Sequence, residues 1–174
     1  MTDAQLSEED QYLLALGGFV HAWSMLEAAI DFAIVVIFQR YGGNSLIRKQ
    51  PRTLKTKIIH LKNCYFTLPT LGTYAAEGIG IVERLATMRD TRHHLIHGTP
   101  MDLSASVIEV RLIRPEGAKH QVNKGTTTVA NLVKMTNTTY EVCLQMQEHS
   151  FRLFNDAIHR PGTSGATQDL TSGS

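Results

Sequence analysis

Four long stretches of the chain repeat apolar residues at the α-helical period, and one stretch before the last of them alternates like a strand. From about Ser7 to Arg40, Leu16, Trp23, Ile30 and Ile37 recur every seven, as do Leu13, Val20, Glu27 and Ile34. Together they predict one apolar stripe on a helix, which "YGGN" at 41–44 ends. Gly17 and Gly18 loosen its early part or let another helix come close. A second helix is predicted just after Pro51, with Leu54, Ile58, Leu61 and Tyr65 on one face, until "TLPTLG" at 67–72 breaks the pattern. A third runs from about Tyr74 to His97, with Ile81, Val82, Leu85, Met88 and Ile96 inward. Gly98 stands where a left-handed C-terminal cap belongs, and Pro100 blocks continuation. Next, "VIEVRLI" at 107–113 alternates Ile108, Val110 and Leu112 against Glu109 and Arg111. "RPEGAK" at 114–119 signals a turn, and 120–128 a weaker return strand. Helical period resumes from about Val129 to His159 through Leu132, Met135, Val142, Met146 and Leu153. The sum is a mainly all-α fold: a four-helix bundle with a β-hairpin, at about 105–128, between the third and fourth long helices. Residues 1–159 form a single domain, and the aperiodic tail at 160–174 is expected to be disordered.

Composition adds little that selects a function. The 174 residues suit one domain with a real core, at 43% hydrophobic and 19% charged. A formal net charge of +1 gives no global field toward nucleic acid or anionic membrane. Cys64 and Cys143 stand alone, against a disulfide framework or a zinc ribbon, and fit a reduced, cytoplasmic setting. The acidic, polar opening "MTDAQLSEEDQ" is unlike a secretory signal. The most apolar run, Ala28 to Phe38, contains Asp31 and is short for a membrane span. Charge is uneven locally: residues 44–63 carry six Lys or Arg and no acid. That run is either a solvated face or a phosphate-attracting patch, with Arg48, Lys49, Arg52, Lys55 and Lys57 as its candidates.

Two charges point inward. At about 100° per residue, Glu27 lies within roughly 20° of the centre of the first helix's stripe, and Arg92 is equally close to the third's. Unpaired burial of either costs several kcal/mol, so the two are expected to meet. The pair either fixes helix register or holds Arg92 at a polar pocket. Around Arg92 lies "RDTRHHLIHG", residues 89–98. Arg89, His93 and His97 are predicted to form a ridge beside the arginine, with His94 turned further toward solvent. The imidazoles serve a helix C-terminus electrostatically, contribute two ligands of a metal site for which spacing marks no third, or do acid–base chemistry.

The string "RHHLIHG" at 92–98 resembles the R-x4-H motif of the HEPN superfamily, which sits on a late helix of a helical bundle. "WSMLEAAID" at 23–31, "LKTKIIHLK" at 54–62 and "ERLATMRDTRHHLIHG" at 83–98 extend the resemblance, which covers roughly residues 10 to 159. It implies a metal-independent endoribonuclease of a toxin–antitoxin or defence system, without cofactor. Two copies would pair with their motifs facing across a symmetric cleft. Arg92 and His97 would then be the motif pair, His93 the polar residue after the arginine, and Asp90 secondary. An antitoxin such as a nucleotidyltransferase-like protein is the partner so implied. Arg89 and His94 form a second R-x4-H match, offset by three. The helical wheel sets Arg92 and His97 about 140° apart, so one chain alone does not aim both at one point.

Dimerisation has a second source. From Phe32 to Phe38 the first helix is apolar on nearly every side, so either a second copy or the hairpin is expected to cover it. The leading expectation is a homodimer acting on RNA. The alternative is a non-catalytic dimeric helical module that binds a partner protein or a nucleotide.

Overall fold

A computed structural model of the chain describes residues 6–102, 107–116 and 119–159. Its long helices are α1 (Glu8–Arg40), α2 (Leu54–Thr67), α3 (Gly72–His97) and α4 (Val129–His159), with short 3-10 turns at Gly43–Ser45 and Pro69–Leu71. Between α3 and α4 lies an antiparallel sheet in the order β1 (Thr99–Asp102), β2 (Ile108–Glu116), β3 (Lys119–Thr127). The fold is thus the mainly helical bundle with a β insertion that the periodicity predicts. The expected tail from 160 onward and the hairpin tip at 117–118 lie outside the described residues.

Capping fixes where the helices start. Ser7 accepts a hydrogen bond from the Asp10 amide, and Glu8, Glu9 and Asp10 put negative charge at the positive end of α1. Thr53 and Thr56 form a reciprocal capping box on α2. On α4, Thr128 accepts from the Asn131 amide.

Side-chain pairs set the helix directions. His21 meets Tyr140 and Phe32 meets Phe151, so α1 and α4 run parallel. Arg92 pairs with Glu27, Lys62 with Glu83, and Arg84 with Gln145 and Glu141, so α3 runs antiparallel to the other three. Lys57 pairs with Asp31 at 2.6 Å, which sets the start of α2 level with Glu27.

The core is built from Phe19, Trp23, Leu26, Ile30 and Ile37 of α1, Leu61 and Tyr65 of α2, Val82 and Leu85 of α3, and Leu132, Met146 and Leu153 of α4. Leu13 and Val20, expected inside, are exposed (53% and 39%). A strict seven-residue repeat drifts around a straight helix by about 20° per heptad. In addition, α2 begins too late to cover the first half of α1. On α3, Leu95 is buried, while Met88 and Ile96 are only half-buried. No residue from Phe32 to Phe38 is left exposed: Ala33, Ile34, Val36 and Ile37 are buried, and Phe32 packs on Phe151 and Phe154. Helices of the same chain cover that segment, so it requires neither the hairpin nor a second copy. Taken whole, α1 is long and apolar enough to cross a membrane, but half of its most apolar window is buried in the bundle.

The sheet begins earlier than expected, because Gly98 caps α3, its amide donating to the His94 carbonyl, in an extended conformation that leads straight into β1. Its φ of −81° and ψ of 151° are extended, not left-handed. Glycine is needed there for space, since a Cβ would overlap the Val110 side chain. Ile108, Val110 and Leu112 point into the core, as their alternation predicts.

One polar network crosses the core. Tyr65 and His149, both buried, share a 2.7 Å hydrogen bond, and the other ring nitrogen of His149 meets Glu77 at 3.1 Å. Arg152 also donates to Glu77, and Tyr74 donates to Asp156. Desolvation lowers the His149 pKa against the upward pull of Glu77.

Candidate functional site

The Glu27 carboxylate is the hub of the site. Its Oε1 accepts from Arg92 Nη2 at 2.8 Å and from the Trp23 indole at 2.9 Å. The Arg92 guanidinium also lies 5.9 Å from the Trp23 ring centroid, a cation–π distance. Both charged side chains are half-buried, at 33% for Glu27 and 22% for Arg92. Arg92 Nε is buried with no hydrogen-bond partner among the described residues. The two inward charges therefore meet, as the helical wheels require. Sequence reasoning missed Trp23 as the third member, although it stands one turn before Glu27 on the same face.

The three histidines of "RDTRHHLIHG" separate. His93 and His97 contact one another with their rings tilted at 57° and centroids 4.9 Å apart, His97 exposed and His93 half-buried. Arg89, on the same flank, pairs with Asp90 at 2.9 Å. His94 does not face solvent as expected. Its Nε2 lies 3.2 Å from the Val110 carbonyl, and its ring packs against Gly125 of β3, where a Cβ would come within 2.9 Å. The hairpin folds over this side of α3 and leaves the other side open. In the offset match, Arg89 and His94 thus lie on different faces. In the preferred match, Arg92 faces Glu27 while His97 faces outward, the divergence expected for residues five apart.

The basic run also divides. Lys57 is buried and held by Asp31, so it is a structural cation, not part of a phosphate patch. Arg48, Lys49, Arg52 and Lys55 are exposed, and Lys49 and Arg52 border an open pocket of about 500 Å³ beside α2. From the Lys62–Glu83 contact, an antiparallel count of nine residues places Thr53 level with Arg92. On the α3 wheel His97 lies about 40° from Glu83, the residue that faces α2. The exposed His97 and the basic loop before α2 therefore share one flank and one end of the bundle.

Among the described residues, no three His, Cys, Asp or Glu side chains gather closely enough to hold a metal. Burial pushes the Cys64 thiol up to about 11 and lowers the pKa of His60, whose ring it contacts. That pair is a core contact rather than an activated nucleophile. Comparison with protein-family models, curated proteins and solved structures finds no match to this chain.

Proposed function

We propose that this is a HEPN-like protein that acts on RNA as a homodimer and cleaves it without a metal. The observation carrying this reading is the His93–His97 pair, its His97 ring exposed, following an arginine that the half-buried Glu27 carboxylate holds in place. RNA cleavage of this kind needs a base for the ribose 2′-OH, an acid for the leaving 5′-oxygen, and a cation for the phosphate. His97 is the exposed imidazole and acts on the proton, His93 orients it, and Arg92 stabilises charge on the phosphate. Asp90, already paired with Arg89, contributes only to the local field. Arg48, Lys49, Arg52 and Lys55 supply backbone contacts on the same flank.

Two copies are part of the reading, because Arg92 and His97 of one chain diverge and a second copy can bring its own His97 toward the first copy's arginine. Val20, exposed on α1 near the level of His97 and seven residues before Glu27 on the same face, offers apolar surface beside such a cleft. A nucleotidyltransferase-like antitoxin is the partner this reading implies.

The test is single-stranded RNA incubated with purified protein in EDTA. Cleavage is expected to survive chelation and to fall at least a hundredfold in His97→Ala, in the range of a general acid or base. Intact RNA under all conditions refutes catalysis. If RNA is also not bound, and light scattering finds only monomer, the whole reading fails.

A further inference from the structure

Opposite the imidazole pair, on the hairpin side of α3, the same helix borders a cavity of a different character. Between the end of α3, strands β2 and β3, and the start of α4 lies a cleft of about 430 Å³. Lys124, Lys134, His94 and Asp90 are its titratable lining groups. Asp90 is neutralised by Arg89 at 2.9 Å, and Lys124 stands 3.9 Å from Glu109. The Lys134 ammonium has no ion-pair partner among the described residues. The balance of charge at the mouth is therefore positive.

Beside the cleft, the character changes. A slot of about 210 Å³ shares Thr91, Lys134 and Met135 with the cleft, and Phe19, Trp23 and Met88 form its walls. Phe19 and Trp23 are tilted against each other at 6.0 Å, and methionine sulfur packs well on aromatic edges. An apolar cavity of about 150 Å³ binds benzene, so this slot has room for one or two fused rings. Lys134 stands at the junction of the apolar and cationic parts.

We infer that this two-part cavity binds a small aryl anion, its ring in the slot and its carboxylate or phosphate at Lys134 and Lys124. The site is separate from Arg92 and His97 and does not depend on the reaction proposed for them. Both surfaces share Trp23, whose ring lines the slot while its N–H holds Glu27.

Trp23 is the chain's single tryptophan, so binding reports itself. Phenyl phosphate titrated into the full chain is expected to change tryptophan fluorescence saturably, with a Kd of about 1 mM or tighter and a matching heat in calorimetry. Inorganic phosphate and phenol, each carrying half of the recognition, are expected to bind at least tenfold more weakly. Lys134→Gln is expected to weaken phenyl phosphate about tenfold. Thr91→Phe, at an exposed position on the passage between cleft and slot, is expected to abolish the fluorescence change. No saturable response to phenyl phosphate overturns the site. So does equal binding of phosphate or phenol, heat without a fluorescence change, or indifference to both substitutions in variants that melt like the parent.

Discussion

Replacing Glu27 by alanine strands two partners at once. Trp23 is 1% exposed, so its indole N–H loses its acceptor beside a buried ring, a cost of about 1–3 kcal/mol. Arg92 loses its counter-charge. Breaking a fully buried pair costs about 3–5 kcal/mol and an exposed pair under about 1, so a half-buried guanidinium with an already unpartnered Nε falls near 1–2. Together, Glu27→Ala is expected to lose about 3 kcal/mol. For a chain of this size that is a fall in Tm of roughly 6–12 °C. Glu27→Gln keeps an acceptor for the indole and should recover about half of the loss. Urea unfolding with an unchanged m-value measures both. Arg92→Met completes a double-mutant cycle, in which a coupling of about 1–2 kcal/mol is expected. A Glu27→Ala loss below about 0.5 kcal/mol, or strict additivity with Arg92→Met, would refute the claim that the pair is structurally coupled.

Three further outcomes test the fold. Gly78→Ala places a methyl into the Tyr65 ring, which His149 holds, and should cost about 2–3 kcal/mol, whereas Gly80→Ala faces open space and should gain about 0.5–1 in thermal or urea melts. Because His149 is kept neutral in the fold, the unfolded chain takes up its proton first as pH falls through about 6.5, so stability drops below that pH. Glu77 adds to the same acid sensitivity: desolvation raises its pKa, but the hydrogen bonds from His149 and Arg152 outweigh that and hold it below the usual carboxylate value. In His149→Gln, stability measured from pH 7 down to about 5 should therefore fall less steeply than in the parent. Lys57→Met removes the cation but not the stem, and in urea melts should shift stability by no more than about 1 kcal/mol, because Asp31 is exposed and keeps its water.

Periodicity carried the helices because each buries a stripe, and the same arithmetic located Glu27 and Arg92 on facing stripes. It could not place Leu13 and Val20, since whether a stripe residue is covered depends on where the neighbouring helix starts. His149 was legible in principle: it continues the inward line of Val142 and Met146 to Leu153. The fate of His94 was not. It depends on the hairpin folding over one side of α3, with Val110 opposite Gly125 in the strand register, and no local pattern encodes that contact. Lys57 looked like its neighbours in the basic run because only the pairing of α2 with α1 singles it out.

The parallel course of α1 and α4 bears on how the chain comes off the ribosome. Their face is the most extensive between any two helices, and it joins residues as distant as Tyr41 and Leu153, 112 positions apart. At about 5–20 residues per second, the last turn of α4 is synthesised roughly 6–24 s after the last turn of α1. For that interval Phe32 of the nascent chain awaits Phe151 and Phe154 of α4. A chaperone that shelters aliphatic helices during translation should therefore engage this protein early and release it only when synthesis is nearly complete.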